Sequence, residues 1–127
     1  MSGVPASCPC DPGKSYDDCC GVLHRGKATA STAEQLMRSR FSAYAVGDKD
    51  YLLRTWHSTT RPKTVAFDPA LRWTRLEIVG TTGGSPFHKV GTVEFHAHYQ
   101  TNGRADVMHE NSTFSRENGQ WVYVAAE

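Results

Sequence analysis

The hydrophobic period of the chain changes once, near residue 70. Before that point apolar residues recur at helical spacing, with Ala33, Met37, Phe41 and Tyr44 on one face of a helix expected to run to about Val46. Ser31-Thr32-Ala33-Glu34 offers a capping box at its start, and Gly47 offers a stop. Asp48 can cap a second helix through roughly Trp56, which would bury Leu52, Leu53 and Trp56. Residues 57–70 contain Pro62 and Pro69 and read as a long connection, in which Asp68-Pro69 suits the opening of one short helical turn. From Leu71 the period is two, and the expected strands are residues 72–79, 90–100, 105–116 and 120–125. Asn102-Gly103 and Asn118-Gly119 separate the last three strands, and Asn-Gly favours tight hairpins because both central residues need positive φ. Helices followed by an antiparallel meander predict an α+β domain whose helices cover one sheet face. Residues 81–89, with Gly83-Gly84 and Pro86, are the expected mobile loop.

The periodic pattern does not reach the first 25 residues, and there the chemistry is concentrated. All four cysteines lie within thirteen residues, as Cys8-Pro9-Cys10 and Cys19-Cys20 with eight residues between the pairs. Four thiols in one short stretch predict a tetrahedral cage, and structural zinc suits it. Tyr16, Val22 and Leu23 are the only sizeable apolar groups in residues 7–24, too few to order the segment unaided. Lys14 and Arg25 are expected to favour the thiolates, Gly13 and Gly21 to supply positive-φ positions and close backbone approach, and Asp11 to tolerate the left-handed region. His24 ranks behind Cys20 as a ligand, or stands behind the ligands as a supporting group. Disulfides would require an oxidising compartment, yet residues 1–7 hold no charged stretch followed by an apolar run, so a cytoplasmic protein is expected. A redox role for adjacent Cys19 and Cys20 lacks the Cys-x-x-Cys spacing and βαβ pattern.

The run from Cys8 to Gly21 resembles the SEC-C motif, whose pattern is Cys-x-Cys, eight residues, then Cys-Cys or Cys-His. That motif is best known as the zinc-binding tail of the bacterial protein-translocation ATPase, where it contacts a secretion chaperone. Asp11-Pro12-Gly13 stands where the motif commonly reads Gly-Ser-Gly, a change that removes no ligand. Leu36-Met37-Arg38-Ser39-Arg40-Phe41-Ser42-Ala43-Tyr44, Thr55-Trp56-His57-Ser58-Thr59-Thr60-Arg61-Pro62, Gly91-Thr92-Val93-Glu94-Phe95 and His109-Glu110-Asn111-Ser112-Thr113-Phe114 are similar to stretches of the bacterial YchJ-like proteins. The resemblance implies a zinc knuckle over residues 1–25. It also implies a nuclear-transport-factor-two-like domain over residues 26–127, a cone of helices on a curved antiparallel sheet, with one structural zinc held by Cys8, Cys10, Cys19 and Cys20.

Composition narrows the function classes. A formal charge of +1 gives no general reason to expect nucleic acid. Arg38, Arg40, Arg54, Arg61, Lys49 and Lys63 read either as a basic patch or as solvated helix faces. On the sheet, alternation puts Glu94, His96 and His98 on one face and Val93, Phe95, Ala97 and Tyr99 on the other. Solvent exposure explains the polar face as well as a catalytic cavity would. His109 and Glu110 must point to opposite faces, and Glu110, beside Met108, Ser112 and Phe114, needs a partner such as Arg40 or His57. Two readings remain. In the first, a closed zinc knuckle binds a protein partner; in the second, a cone cavity binds or transforms a small molecule, with Glu94, His57, His109 and Glu110 as candidate residues.

Overall fold

The computed structural model describes residues 6–126. The knuckle comprises strands β1 (Ser7–Cys8) and β2 (Asp11–Ser15), a single 3-10 turn (Tyr16–Asp18) and helix α1 (Cys20–His24). Helices α2 (Ala33–Val46) and α3 (Lys49–Arg54) follow. Strands β3 (Leu71–Gly83), β4 (Val90–Thr101), β5 (Arg104–Glu117) and β6 (Gln120–Ala126) form a four-stranded antiparallel meander in sequence order. The α+β expectation therefore holds, and the curved sheet packs its inner face against α2. The reading of residues 1–5 as lacking an export signal lies outside the described residues.

Helix α2 starts where the sequence places it, but its capping box is shifted by one residue. Thr32 is the N-cap: its side chain accepts from Gln35 N–H at 3.0 Å, while Gln35 Oε1 accepts from Ser31 N–H at 2.8 Å. The capping side chains are thus Thr32 and Gln35, the latter reaching back to Ser31 one residue before the cap, which leaves Glu34 free to pair with Arg38 one turn on, at 3.0 Å. Gly47 closes the helix in the left-handed region at φ 77°. Ala33, Met37 and Phe41 are buried and Tyr44 half-buried, as the period demands.

Helix α3 stops two residues short of the expected Trp56. Its chain is captured by the sheet: Tyr123 N–H donates to Thr55 C=O and His57 N–H donates to Tyr123 C=O, both at 2.8 Å. Trp56 thereby forms a parallel bridge to Tyr123 instead of a further helical turn. Asp68-Pro69 also forms no helix. Leu71 N–H returns to Asp68 C=O at 3.1 Å, and the Asp68 carboxylate accepts from Ala70 N–H at 2.9 Å, which closes a β-turn leading into β3.

Both Asn-Gly pairs make the tight hairpins read from the sequence, with φ of 54° and 81° at Asn102-Gly103 and 55° and 79° at Asn118-Gly119. The expected mobile loop is shorter than residues 81–89, because β3 continues to Gly83. What remains is tied down: Ala33 N–H donates to Gly84 C=O at 2.9 Å, and Arg116 donates to the carbonyls of His88 and Pro86 at 2.8 and 2.9 Å. The backbones of Gly84 and Gly91 pass so closely that a Cβ on Gly91 would lie 2.5 Å from Gly84 Cα. Neither backbone can yield, so Gly91→Ala is expected to destabilise the fold by about 1–3 kcal/mol, read from the midpoint of urea unfolding.

Leu36, Phe41, Leu52, Val93, Phe114 and Trp121 form the centre of the core. The same buried cluster includes Cys8, Cys10, Tyr16, Cys20 and Leu23, so the knuckle is packed into the domain.

Candidate metal centre and inner cavity

The spacing in the sequence is resolved in space by the turn after β1 and by the start of α1. Cys8 and Cys10 flank the knuckle turn, and Cys19 and Cys20 enter α1 from the 3-10 turn, so two short elements present their sulfurs to one point. The four Sγ atoms lie within 4.8 Å of one another, with Cys8–Cys10, Cys10–Cys19 and Cys10–Cys20 separations of 3.6, 3.7 and 3.5 Å. A tetrahedron with metal–sulfur bonds of about 2.3 Å has sulfur–sulfur edges of about 3.8 Å. The donors therefore fit a metal ion of that size, and their all-sulfur chemistry fits a thiophilic one. Among the described residues they are the one group of three or more ligating side chains gathered so closely.

The sulfurs are electrostatically frustrated as free thiols. Hydrogen bonding to Cys10 and then to Cys20 holds Cys8 far below the ordinary thiol range, while bonds to Cys10 and Cys8, with burial, push Cys20 far above it. Cys10, pulled down by Cys20 but raised more by Cys8 and by burial, is pushed up to about 12. Sulfurs this close favour one another's protonated form, and a divalent cation would supply the charge to release those protons.

The close approach expected of the glycines is found at Gly21, but the left-handed turn positions are not. Gly13, Gly21 and Asp11 are absent from the positive-φ positions. Gly21 instead permits contact, since a Cβ there would lie 2.7 Å from Tyr16 O, and Asp11 closes the turn by accepting from Gly13 N–H at 3.0 Å. The expected electrostatic helper Arg25 is also engaged elsewhere, on Asp17.

His24 is not a ligand. Its Nε2–H donates to Ser39 C=O at 2.8 Å, and its Nδ1 accepts from Tyr16 O–H at 2.5 Å. This ring is the bolt between knuckle and α2. Cys8 Sγ touches Ser42 Oγ at 3.5 Å, Arg38 Nη1 reaches Cys10 C=O at 3.4 Å, and Arg54 Nη2 donates to the carbonyls of Leu23 and His24 at 3.1 and 2.8 Å. The arginines read as a basic patch are in large part such ties. Arg40 is buried, Arg54 stacks on Tyr51, and Arg61 donates to Trp56 C=O.

The four candidate enzyme residues divide among three places. Glu94 and His109 meet on the outer sheet face at 2.6 Å, beside His96, which pairs with Glu77 at 3.2 Å. His57 pairs with Glu117 at 3.7 Å. Glu110 alone faces inward, into a cavity of about 290 Å³ between the sheet and α2. Neither Arg40 nor His57 lies within 4.0 Å of it, so the expected partnership fails. Sequence reasoning missed the cavity's aromatic walls, Trp56, Trp73 and Tyr123, because they come from three separated segments with no shared spacing.

A cone of helices on a curved antiparallel sheet, with an inner cavity and a docked four-cysteine knuckle, defines an NTF2-like protein bearing a SEC-C-type motif. A sequence model described as "YchJ, middle NTF2-like domain" matches residues 32–126. The chain belongs to the YchJ-like family. It is 54% identical to a UPF0225 protein of Streptomyces avermitilis, over 97% of this chain and 85% of that one. A UPF0225 protein of Corynebacterium glutamicum is 50% identical, over 94% and 95%. Among solved structures it is similar to a SEC-C motif containing protein of Rhodopseudomonas palustris, with TM-score 0.81 and 34% identity over 95% of this chain and 97% of that one. A SEC-C motif containing protein of Psychrobacter arcticus gives TM-score 0.78 and 26% identity, over 98% and 83%.

Proposed function

We propose that the protein is a zinc-binding interaction protein in which Cys8, Cys10, Cys19 and Cys20 hold one structural zinc. The observation that carries this reading is the four sulfurs within 4.8 Å of one another, three of the cysteines buried in the domain core. Four thiolates complete a tetrahedron and leave no coordination position for substrate, so the ion's role is to fix a surface. Four reduced cysteines held as a zinc cage suit a reducing compartment, and we assign the protein to the cytoplasm. No helix of the described residues is long and apolar enough to cross a membrane.

The proposed contact surface is the groove of about 460 Å³ where the knuckle meets α2, with Lys14, Cys19, Val22, Glu34 and Arg38 on its walls. Its occupant is a protein partner, by analogy with SEC-C motifs elsewhere. Deleting the knuckle would expose core residues, so the informative variant keeps it. Val22→Ser combined with Glu34→Gln should retain zinc and nearly the native melting temperature while losing the partner captured by cross-linking from cell extract. An unchanged set of captured proteins, at equal zinc content, would remove the groove from the proposal.

A further inference from the structure

The inner cavity presents a buried cation without a counter-anion and a buried donor without an acceptor. Arg40 is 3% exposed, and its guanidinium packs against the corner where the rings of Trp56 and Tyr123 meet edge to face, at 4.9 and 4.7 Å from their centroids. Its acceptors are all neutral: Nη1 donates to Leu52 C=O at 2.9 Å and to Thr55 Oγ1 at 2.8 Å, and the Tyr44 hydroxyl attends the same group. Among the described residues no carboxylate lies within 4.0 Å of it. A buried cation without a counter-anion is expensive, and burial lowers the Arg40 pKa to about 10. Trp56, on the same wall, carries a buried Nε1–H with no acceptor among the described residues. Glu110 lines the cavity as a carboxylate without a cation within 4.0 Å.

The remaining wall is apolar and largely aromatic, with Phe41, Trp73 and Phe95 among its side chains. Its volume of about 290 Å³ sits at the small end of ligand pockets, which run from roughly 300 to 1,000 Å³. We propose that this cavity is a binding site for a small hydroxylated aromatic monocarboxylate. The ligand's carboxylate accepts from Arg40 and Trp56, its ring packs among the aromatic side chains, and its hydroxyl donates to Glu110. Each otherwise uncompensated group then gains a partner, and the Arg40 contact becomes a charge-assisted hydrogen bond whose cation is held in place by two rings. The site is independent of the zinc proposal, since none of the four cysteines lines it.

The test is a calorimetric titration of the full metal-loaded chain with 4-hydroxybenzoate, benzoate and 4-hydroxybenzamide, repeated by tryptophan fluorescence. Saturable binding of 4-hydroxybenzoate is expected. The neutral amide should bind at least about tenfold more weakly, the scale of one lost hydrogen bond to a charged group. Glu110→Gln should erase the preference for 4-hydroxybenzoate over benzoate, and Trp56→Phe, which keeps the aromatic wall, should weaken both acids. Arg40→Gln should abolish the acid–amide difference; if that variant does not fold, the comparison of acid with amide on the native chain still decides. No saturable binding of either acid, or equal affinity for acid and amide, overturns the proposal.

Discussion

Cys8→Ser is expected to abolish binding of the zinc proposed for this site and to lower the melting temperature of the whole domain. Structural zinc contributes roughly 10–16 kcal/mol to small zinc-dependent units, against a total domain stability of about 5–15 kcal/mol. In an independently swinging knuckle that loss would be local. Here Cys8, Tyr16, Cys20 and Leu23 belong to the same buried cluster as Leu36 and Phe41, and Cys8 is 1% exposed against Ser42 of α2. Releasing the knuckle would uncover the helix that supports the sheet. At several degrees per kcal/mol for a chain of this size, even partial transmission of the zinc term should lower the melting temperature by more than about 10 °C. A strong chelator should reproduce the effect in the native protein, and excess zinc should reverse it. His24 cannot rescue the variant as a substitute ligand while Ser39 and Tyr16 hold both of its ring nitrogens. Elemental analysis beside a thermal melt checks both halves: full zinc content in Cys8→Ser, or loss of zinc with an unchanged melt, would each contradict the structural role.

Legibility of the sequence follows the range of the interactions involved. The Asn102-Gly103 and Asn118-Gly119 hairpins were readable because the turn fixes its own backbone, and the unbroken β4–β5 register follows from the first of them, whereas β5–β6 shifts at a bulge between Thr113 and Phe114. The four cysteines were readable because a cluster built from one short segment leaves a dense local spacing. Failures occur where distant segments decide. Nothing local to Trp56 reports that Tyr123 will draw the end of α3 into the sheet, because their pairing spans most of the domain. The capping box slipped by one residue because Ser31 and Thr32 are chemically equivalent caps, and Gly84 C=O selects between the starts by accepting from Ala33 N–H. Docking of the knuckle was invisible for a related reason. Its contacts use backbone carbonyls of Cys10, Leu23 and His24, which carry no residue signature, met by Arg38 and Arg54 side chains that read from the sequence as solvated charge.

The contact that converts the knuckle from appendage to core is His24, and its replacement is the second large effect expected. His24→Ala would remove the acceptor of the buried Tyr16 hydroxyl, the donor to Ser39 C=O and the ring that stacks at 4.6 Å on Tyr51. An orphaned buried polar group costs about 1–3 kcal/mol, and the cavity adds to it, so a total of about 2–4 kcal/mol is expected from denaturant unfolding of the metal-loaded protein. The same residue sets a direction for acid sensitivity. Burial lowers the His24 pKa below its ordinary 6.5, outweighing the opposing bond to Ser39 and the attraction of Asp48 at 3.8 Å. The folded chain therefore binds fewer protons than the unfolded chain as the pH falls past 6.5. The stabilisation is complete above that pH and is lost progressively below it. Thiolate protonation weakens the metal cage in the same direction, so the native curve alone does not separate the two. The difference between native protein and His24→Gln does: the variant should begin less stable at pH 8 and the gap should narrow toward pH 5. A gap that stays constant across that interval would show that His24 holds the knuckle without titrating against it.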